Sequence, residues 1–156
     1  LAEDRLAARP AIRPASAADL PRIAEIVERA YSVYIPRVGR RPGPMDDDYA
    51  ERVRCGQVLV AESDTVVGLI VLLDSGEYLL IENVAVHPER QHQGVGRALL
   101  AHAEALAAGL GRRELRLYTH ATMTENIQLY RRLGYVQTDP FDQAGGNRVF
   151  FRKRID

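Results

Sequence analysis

Apolar residues recur along this chain with two periods, and each switch between them marks an element. Ala11 to Pro14 reads as a short first strand. The stripe Leu20, Ile23, Ile26/Val27, Ala30/Tyr31 and Tyr34, close to a 3.6-residue period, predicts a helix with Ser16 or Asp19 as its N-cap. Ile35 to Asp48 (IPRVGRRPGPMDDD) holds three prolines and two glycines and predicts a loop with no regular element. A short helix is expected over Asp47 to Arg54. The β-rich runs Gln57–Glu62 and Val66–Leu73 form a hairpin about Ser63-Asp64-Thr65, and Ser75-Gly76 turns into a third strand from Leu79 that Pro88 stops. Val95, Leu99, Ala103, Leu106 and Leu110 mark a helix over about 94–109, closed by Gly109 and Gly111. Glu114–Thr119 is the next strand and Asn126–Leu133 a helix stopped by Gly134. Tyr135–Thr138 and Arg148–Lys153 make a last hairpin through Ala144-Gly145-Gly146-Asn147. Three antiparallel strands, then strand, helix, strand, helix and a C-terminal hairpin predict an α/β fold on a mixed (α+β) sheet rather than a doubly wound one.

The 156 residues suffice for one core: residues 1–10 are expected as a flexible N-terminus and 11–156 as a single domain. Lys plus Arg and Asp plus Glu both number 21, a balance that argues against nucleic acid or an anionic membrane as partner. The single cysteine, Cys55, excludes an internal disulfide framework and fits a reducing cytoplasm. No apolar run approaches the roughly 20 residues that span a bilayer. The mixed-charge start LAEDRLAARP lacks the apolar core of an export signal, so a cytoplasmic location is expected; the start at Leu1 rather than Met leaves room for an upstream piece.

Candidate chemistry concentrates between Leu79 and Leu110. A strand, a polar turn with two glycines (Gln91-His92-Gln93-Gly94-Val95-Gly96-Arg97) and a helix N-terminus make the layout of an anion site. Glycine lets main chain approach a ligand, the first helical N–H groups point outward, and Arg97 adds charge. A P-loop is excluded because no Lys follows Gly96, and a dinucleotide fingerprint because its third glycine position is Leu99.

What remains, Q-x-x-G-x-G, resembles the acyl-CoA motif [RQ]-x-x-G-x-[GA] of the GNAT superfamily of N-acetyltransferases. The strand ENVAVHPE, the helix GRALLAHAEALA, the segment LYTHATMTENIQLYRRLGYV and the opening IRPASAADLPRI are similar as well, so the resemblance runs from Ala11 to Lys153. His92 departs from it, standing where these proteins often have glycine; if φ is positive there, histidine carries some strain. The resemblance implies acetyl-CoA as cofactor, its pyrophosphate on Gln91, Gln93, Gly94, Val95, Gly96 and Arg97. Its pantetheine arm would pair with the main chain of Val84 and Val86. It also implies Glu82, an acid in an otherwise apolar strand, as general base for the amine. Burial would suit a carboxylate to that task, whereas strict alternation would leave Glu82 on a solvated face. Asn126-Ile-Gln-Leu-Tyr130-Arg-Arg-Leu-Gly134-Tyr135 looks like the family's N-x-x-x-Y-x-x-x-G-[FY] signature. It makes Tyr130 the proton donor to the leaving thiolate and Asn126, one helical turn away, a cofactor contact. A phenol of pKa about 10 suits a thiolate whose acid resembles cysteine, about 8.5.

The resemblance further implies an acceptor site walled by the first helices and their loop, at Tyr31, Tyr34, Arg37, Met45 and Tyr49; His120, at the end of the strand before Asn126, either faces the acceptor or is a surface histidine. The loop's arginines would clamp a carboxylate, or its aspartates attract a cationic amine; the sequence favours neither. The four histidines lack partners at metal-ligand spacing, so no metal is expected. These readings converge on an acetyl-CoA-dependent N-acetyltransferase acting by direct attack of a primary amine, with a small molecule or amino acid as acceptor. The alternatives are a protein or peptide acetyltransferase and a non-catalytic acyl-CoA-binding module. A small-molecule or peptide amine is the expected partner, without nucleic acid or membrane, and a homodimer stays open.

Overall fold

In the computed structural model, which describes residues 9–140 and 147–155, the alternating runs form one seven-stranded sheet. The strands are β1 (Ala11–Pro14), β2 (Val58–Glu62), β3 (Val66–Asp74), β4 (Leu79–Val86), β5 (Glu114–His120), β6 (Val136–Thr138) and β7 (Arg148–Arg154). Their order is β1-β2-β3-β4-β5-β7-β6. The first four pair antiparallel in sequence order, β4 and β5 pair parallel, and β7 enters antiparallel between β5 and β6. Of the turn expected over 144–147, residues 144–146 lie outside the described residues.

Five helices join these strands: α1 (Leu20–Tyr31), α2 (Ile35–Val38), α3 (Tyr49–Arg54), α4 (Val95–Gly109) and α5 (Thr124–Arg132). α1 buries Ile23, Ile26, Val27 and Tyr31 on one face of the sheet, against Val60, Leu69 and Val71. α4 and α5 cover the other face, where Leu99, Ala103, Ala107 and Tyr130 meet Ile70, Leu117 and Phe151. β3, covered on both sides, is a near-continuous apolar run for that reason. On α4 the buried stripe continues through Ala107, not the expected Leu106, which is 37% exposed. A 3.6-residue period drifts about 40° for every four residues, so the arc centred on Ala103 takes in Ala107 and leaves Leu106 at its edge.

The segment 35–48 differs from the expected irregular loop. It contains α2 and a 3-10 turn over Gly43–Asp46. Pro36 and Pro44 sit in the first turns of these pieces, where a missing N–H costs nothing, and Gly39 (φ 84°) closes α2 in the left-handed region. At the other end, Arg13 of β1 binds Asp19 (Nη1–Oδ2 2.8 Å, Nη2–Oδ1 3.0 Å) and Glu62 of β2 (Nε–Oε1 3.2 Å), tying the start of α1 to the sheet edge. Among the described residues no helix is long and apolar enough to cross a membrane.

Candidate active site

The site begins with a fault in the β3–β4 ladder. Val71 pairs with Asn83 and Leu72 with Ile81, so Glu82 is the unpaired extra residue of a β-bulge. The bulge inverts the alternation of β4. Leu79 and Ile81 join the core beneath α4, whereas beyond the bulge Val84 and Val86 face that core and Ala85 faces α1. Glu82 and Asn83 consequently open onto the same cavity.

One strand over, pairing of β4 with β5 ends at Ile81–Leu117 and the two strands part. His87 N–H bonds Val67 O (2.9 Å) across β3, so by alternation the main-chain groups of Val84 and Val86 turn toward the split. Their carbonyls accept from side chains here: Tyr31 Oη donates to Val84 O (3.2 Å) and Gln91 Nε2 to Val86 O (3.2 Å).

At the split lies a cavity of about 360 Å³. Glu82, Val84, Asn126, Tyr130, Tyr31 and His120, dispersed through the sequence, all line it. Tyr130 is 6% exposed, its ring packed on Tyr135 and Phe151. Burial, and to a lesser degree the nearby Tyr34 phenol, raises its pKa above the ordinary phenol range, so it keeps its proton. The Glu82 carboxylate accepts a hydrogen bond from Tyr118 Oη (2.9 Å), a residue that was not among the expected site residues. His120 Nδ1 accepts from Thr122 N–H (3.2 Å), which leaves the proton of a neutral ring on Nε2.

Tyr31, Asn83 and Tyr49 make a polar chain beside the cavity. Tyr31 Oη donates to Asn83 Oδ1, Asn83 Nδ2 donates to Tyr49 Oη (2.9 Å), and Tyr49 Oη donates to Pro44 O (2.6 Å). The chain pins the Gly43–Asp46 turn to the strand beside Glu82. Burial, with smaller effects from Tyr130 and Tyr49, raises Tyr31 far above the phenol range, which keeps it a donor.

Four of the expected acceptor residues are not in the wall. Tyr34, Arg37, Met45 and Tyr49 lie outside the cavity lining, and Arg40, Pro42, Gly43, Pro44, Asp46 and Asp47 stand there instead. Arg37 Nη1 is committed to Glu125 of α5 (2.8 and 2.9 Å) and its guanidinium covers the Tyr34 ring (5.3 Å), while Met45 packs on the α1 side of the core. Of the loop's aspartates, Asp46 pairs with Arg41 (3.0 Å), Asp47 with Arg52 (3.1 Å), and Asp48 caps α3 by accepting from Glu51 N–H (3.1 Å).

The glycine turn lies at the far end of the split. His92 has φ 65°, the only non-glycine in the left-handed region among the described residues, and Gly94 has φ 86°. Ala98 N–H makes the first helical bond, to Gly94 O (2.9 Å), which leaves Val95, Gly96 and Arg97 N–H without intrahelical partners. A Cβ at Gly96 would meet only Val86 Cγ2 at 3.7 Å, so protein packing does not require that glycine. Among the described residues no group of three His, Cys, Asp or Glu side chains is arranged to hold a metal ion.

The model of the acetyltransferase (GNAT) domain matches residues 54–137, and the chain belongs to that family. No curated protein matches it. Among solved structures it is similar to the PaiA N-acetyltransferase of Thermoplasma acidophilum in complex with coenzyme A (21% identity over 93% of this chain and 98% of that one, TM-score 0.81). It is also similar to YncA of Salmonella typhimurium with its cofactor acetyl-CoA (23%, 94% and 94%, TM-score 0.70). The ribosomal-protein-S18-alanine N-acetyltransferase of Escherichia coli is similar at 21% identity (93% and 93%, TM-score 0.73). At these identities the likeness is one of fold.

Proposed function

We propose that this protein transfers the acetyl group of acetyl-CoA to the primary amine of a small-molecule acceptor by direct attack, with Glu82 as general base and Tyr130 as general acid. The observation that carries this reading is the convergence of Glu82, Asn126 and Tyr130 on one cavity where β4 and β5 part. Val84 and Val86 N–H groups face the split and suit an extended amide-bearing arm. The N–H groups of Val95 to Arg97 and the Arg97 side chain suit its pyrophosphate. Room for a Cβ at Gly96 supports the same assignment, because close approach of a ligand then explains a glycine that packing does not.

Glu82 takes the proton that the amine sheds as its nitrogen bonds to the thioester carbon. As the carbon–sulfur bond breaks, Tyr130 hands its phenolic proton to the departing sulfur. Cys55 lies outside the cavity lining with Sγ directed to Glu51 Oε1 (3.3 Å), which agrees with transfer without an acyl-enzyme. A volume of about 360 Å³ falls in the range of roughly 300–1,000 Å³ usual for small-molecule pockets, and the turn over Gly43–Asp46 contributes to its wall.

The test is an acetylation screen over amines, amino acids and peptides, read by thiol release. Turnover of a small amine, with Glu82→Gln lowering kcat by about a hundredfold or more, is the expected result. A thermal shift with acetyl-CoA unaccompanied by acetylation of any acceptor would instead mark a binding module.

A further inference from the structure

The reading of Glu82 as base leaves open how a carboxylate on a bulge is aimed. A glutamate there has three rotatable side-chain bonds and no ladder neighbour to fix it. In this structure a second residue of the cavity, Tyr118 of β5, reaches across the β4–β5 split and donates from Oη to Glu82 Oε1 (2.9 Å).

Tyr118 is held on its own account. Its ring lies beneath the Arg148 guanidinium of β7 (4.4 Å to the centroid) and tilts against Phe150 (centroids 5.8 Å apart), its register partner on that strand. The cation is attracted to the ring face, and that contact helps to hold the ring in place. Among the described residues Glu82 Oε2 has no hydrogen-bond donor, so the pinned carboxylate presents one free oxygen to the cavity.

We propose that Tyr118 is the positioning residue for Glu82: its phenol anchors Oε1 so that Oε2 receives the amine proton. Tyr118 keeps its own proton throughout. It binds the anionic carboxylate before transfer, and the proton that the amine nitrogen sheds passes to Oε2. The inference rests on the base role proposed above for Glu82.

The test is a double-mutant cycle of Tyr118→Phe and Glu82→Gln in steady-state thiol-release assays with the best acceptor from the screen. Hydrogen bonds to charged groups are worth enough to predict that Tyr118→Phe alone lowers kcat by about tenfold to a hundredfold, with the KM for acetyl-CoA and the melting temperature unchanged. In the Glu82→Gln background the same substitution should cost nothing further, because there is no carboxylate left to aim. Full kcat in Tyr118→Phe, or a loss that multiplies with that of Glu82→Gln, overturns the proposal. An active Glu82→Gln enzyme overturns the base role and this inference with it, whereas an inactive one beside a fully active Tyr118→Phe overturns only the inference. Should Tyr118→Phe fail to fold, Glu82→Asp makes the same comparison without touching β5. It keeps a carboxylate but withdraws it from the phenol, and wild-type kcat there is the overturning result.

Discussion

Tyr130 shows what a single environment does to a side chain. It points from α5 into the core against Tyr135 and Phe151, and that burial raises its pKa above the phenol range. An acid whose pKa is raised keeps its proton through higher pH. No falling limb of activity below about pH 10, the ordinary phenol value, should therefore trace to Tyr130. Tyr130→Phe should lower kcat by about a hundredfold or more at every pH assayed, and a falling limb that this variant abolishes would refute the assignment. Asn126 and Tyr130 were singled out by the resemblance to the GNAT signature, their four-residue spacing puts them on one helix face, and both line the cavity. Glu82 was legible as an acid out of place among Leu79, Leu80, Ile81 and Val84. Tyr118 was not, since its position in an alternating strand is ordinary and its partner lies 36 residues away.

Elements meet at the site through two devices that depend on neighbours. The bulge at Glu82 turns two consecutive side chains onto one cavity and reverses which face Val84 to Val86 present. Period-two reading of β4 cannot anticipate this, because the extra residue is defined by what pairs with it. Gly68 of β3 is the second device. A Cβ there would lie 3.0 Å from Val95 Cγ1, 3.1 Å from Ala85 O and 3.3 Å from Leu99 Cδ1, so the first turn of α4 docks directly on bare backbone. Gly68→Ala should destabilise the fold by about 1–3 kcal/mol, measured by urea denaturation. By displacing the turn that carries the free N–H groups, it should also raise the KM for acetyl-CoA more than that for the acceptor. Equal effects on the two constants would contradict that coupling.

The whole molecule is a sheet covered on both faces, and its weakest seam under acid should be the corner where β1, β2 and the start of α1 are tied through Arg13. The Arg13 guanidinium beside Asp19 holds that carboxyl down to about 2, with the Ser16 N–H (2.8 Å) assisting against the opposing effect of burial. A depressed carboxyl pKa stabilises the fold fully above the ordinary carboxylate value of about 4 and loses that contribution as pH falls through the folded value. Asp19→Asn should cost about 1–2 kcal/mol at neutral pH, and the gap from wild type in urea midpoints should close as pH approaches about 2. A gap that persists there would place the effect elsewhere. By itself the sequence determined the order of the strands and of the longer helices, the two periods that build them, the glycine turn and the spacing of Asn126 and Tyr130, since all of these are local consequences of side-chain pattern and backbone freedom. Only the tertiary structure decided where β4 and β5 part, which side Glu82 faces, and that Tyr118 holds it. It also decided that Arg40, Pro42, Gly43, Pro44, Asp46 and Asp47 line the cavity and that Tyr34, Arg37, Met45 and Tyr49 do not. Each of these depends on register and on contacts between segments far apart in the chain, for which no local pattern exists to be read.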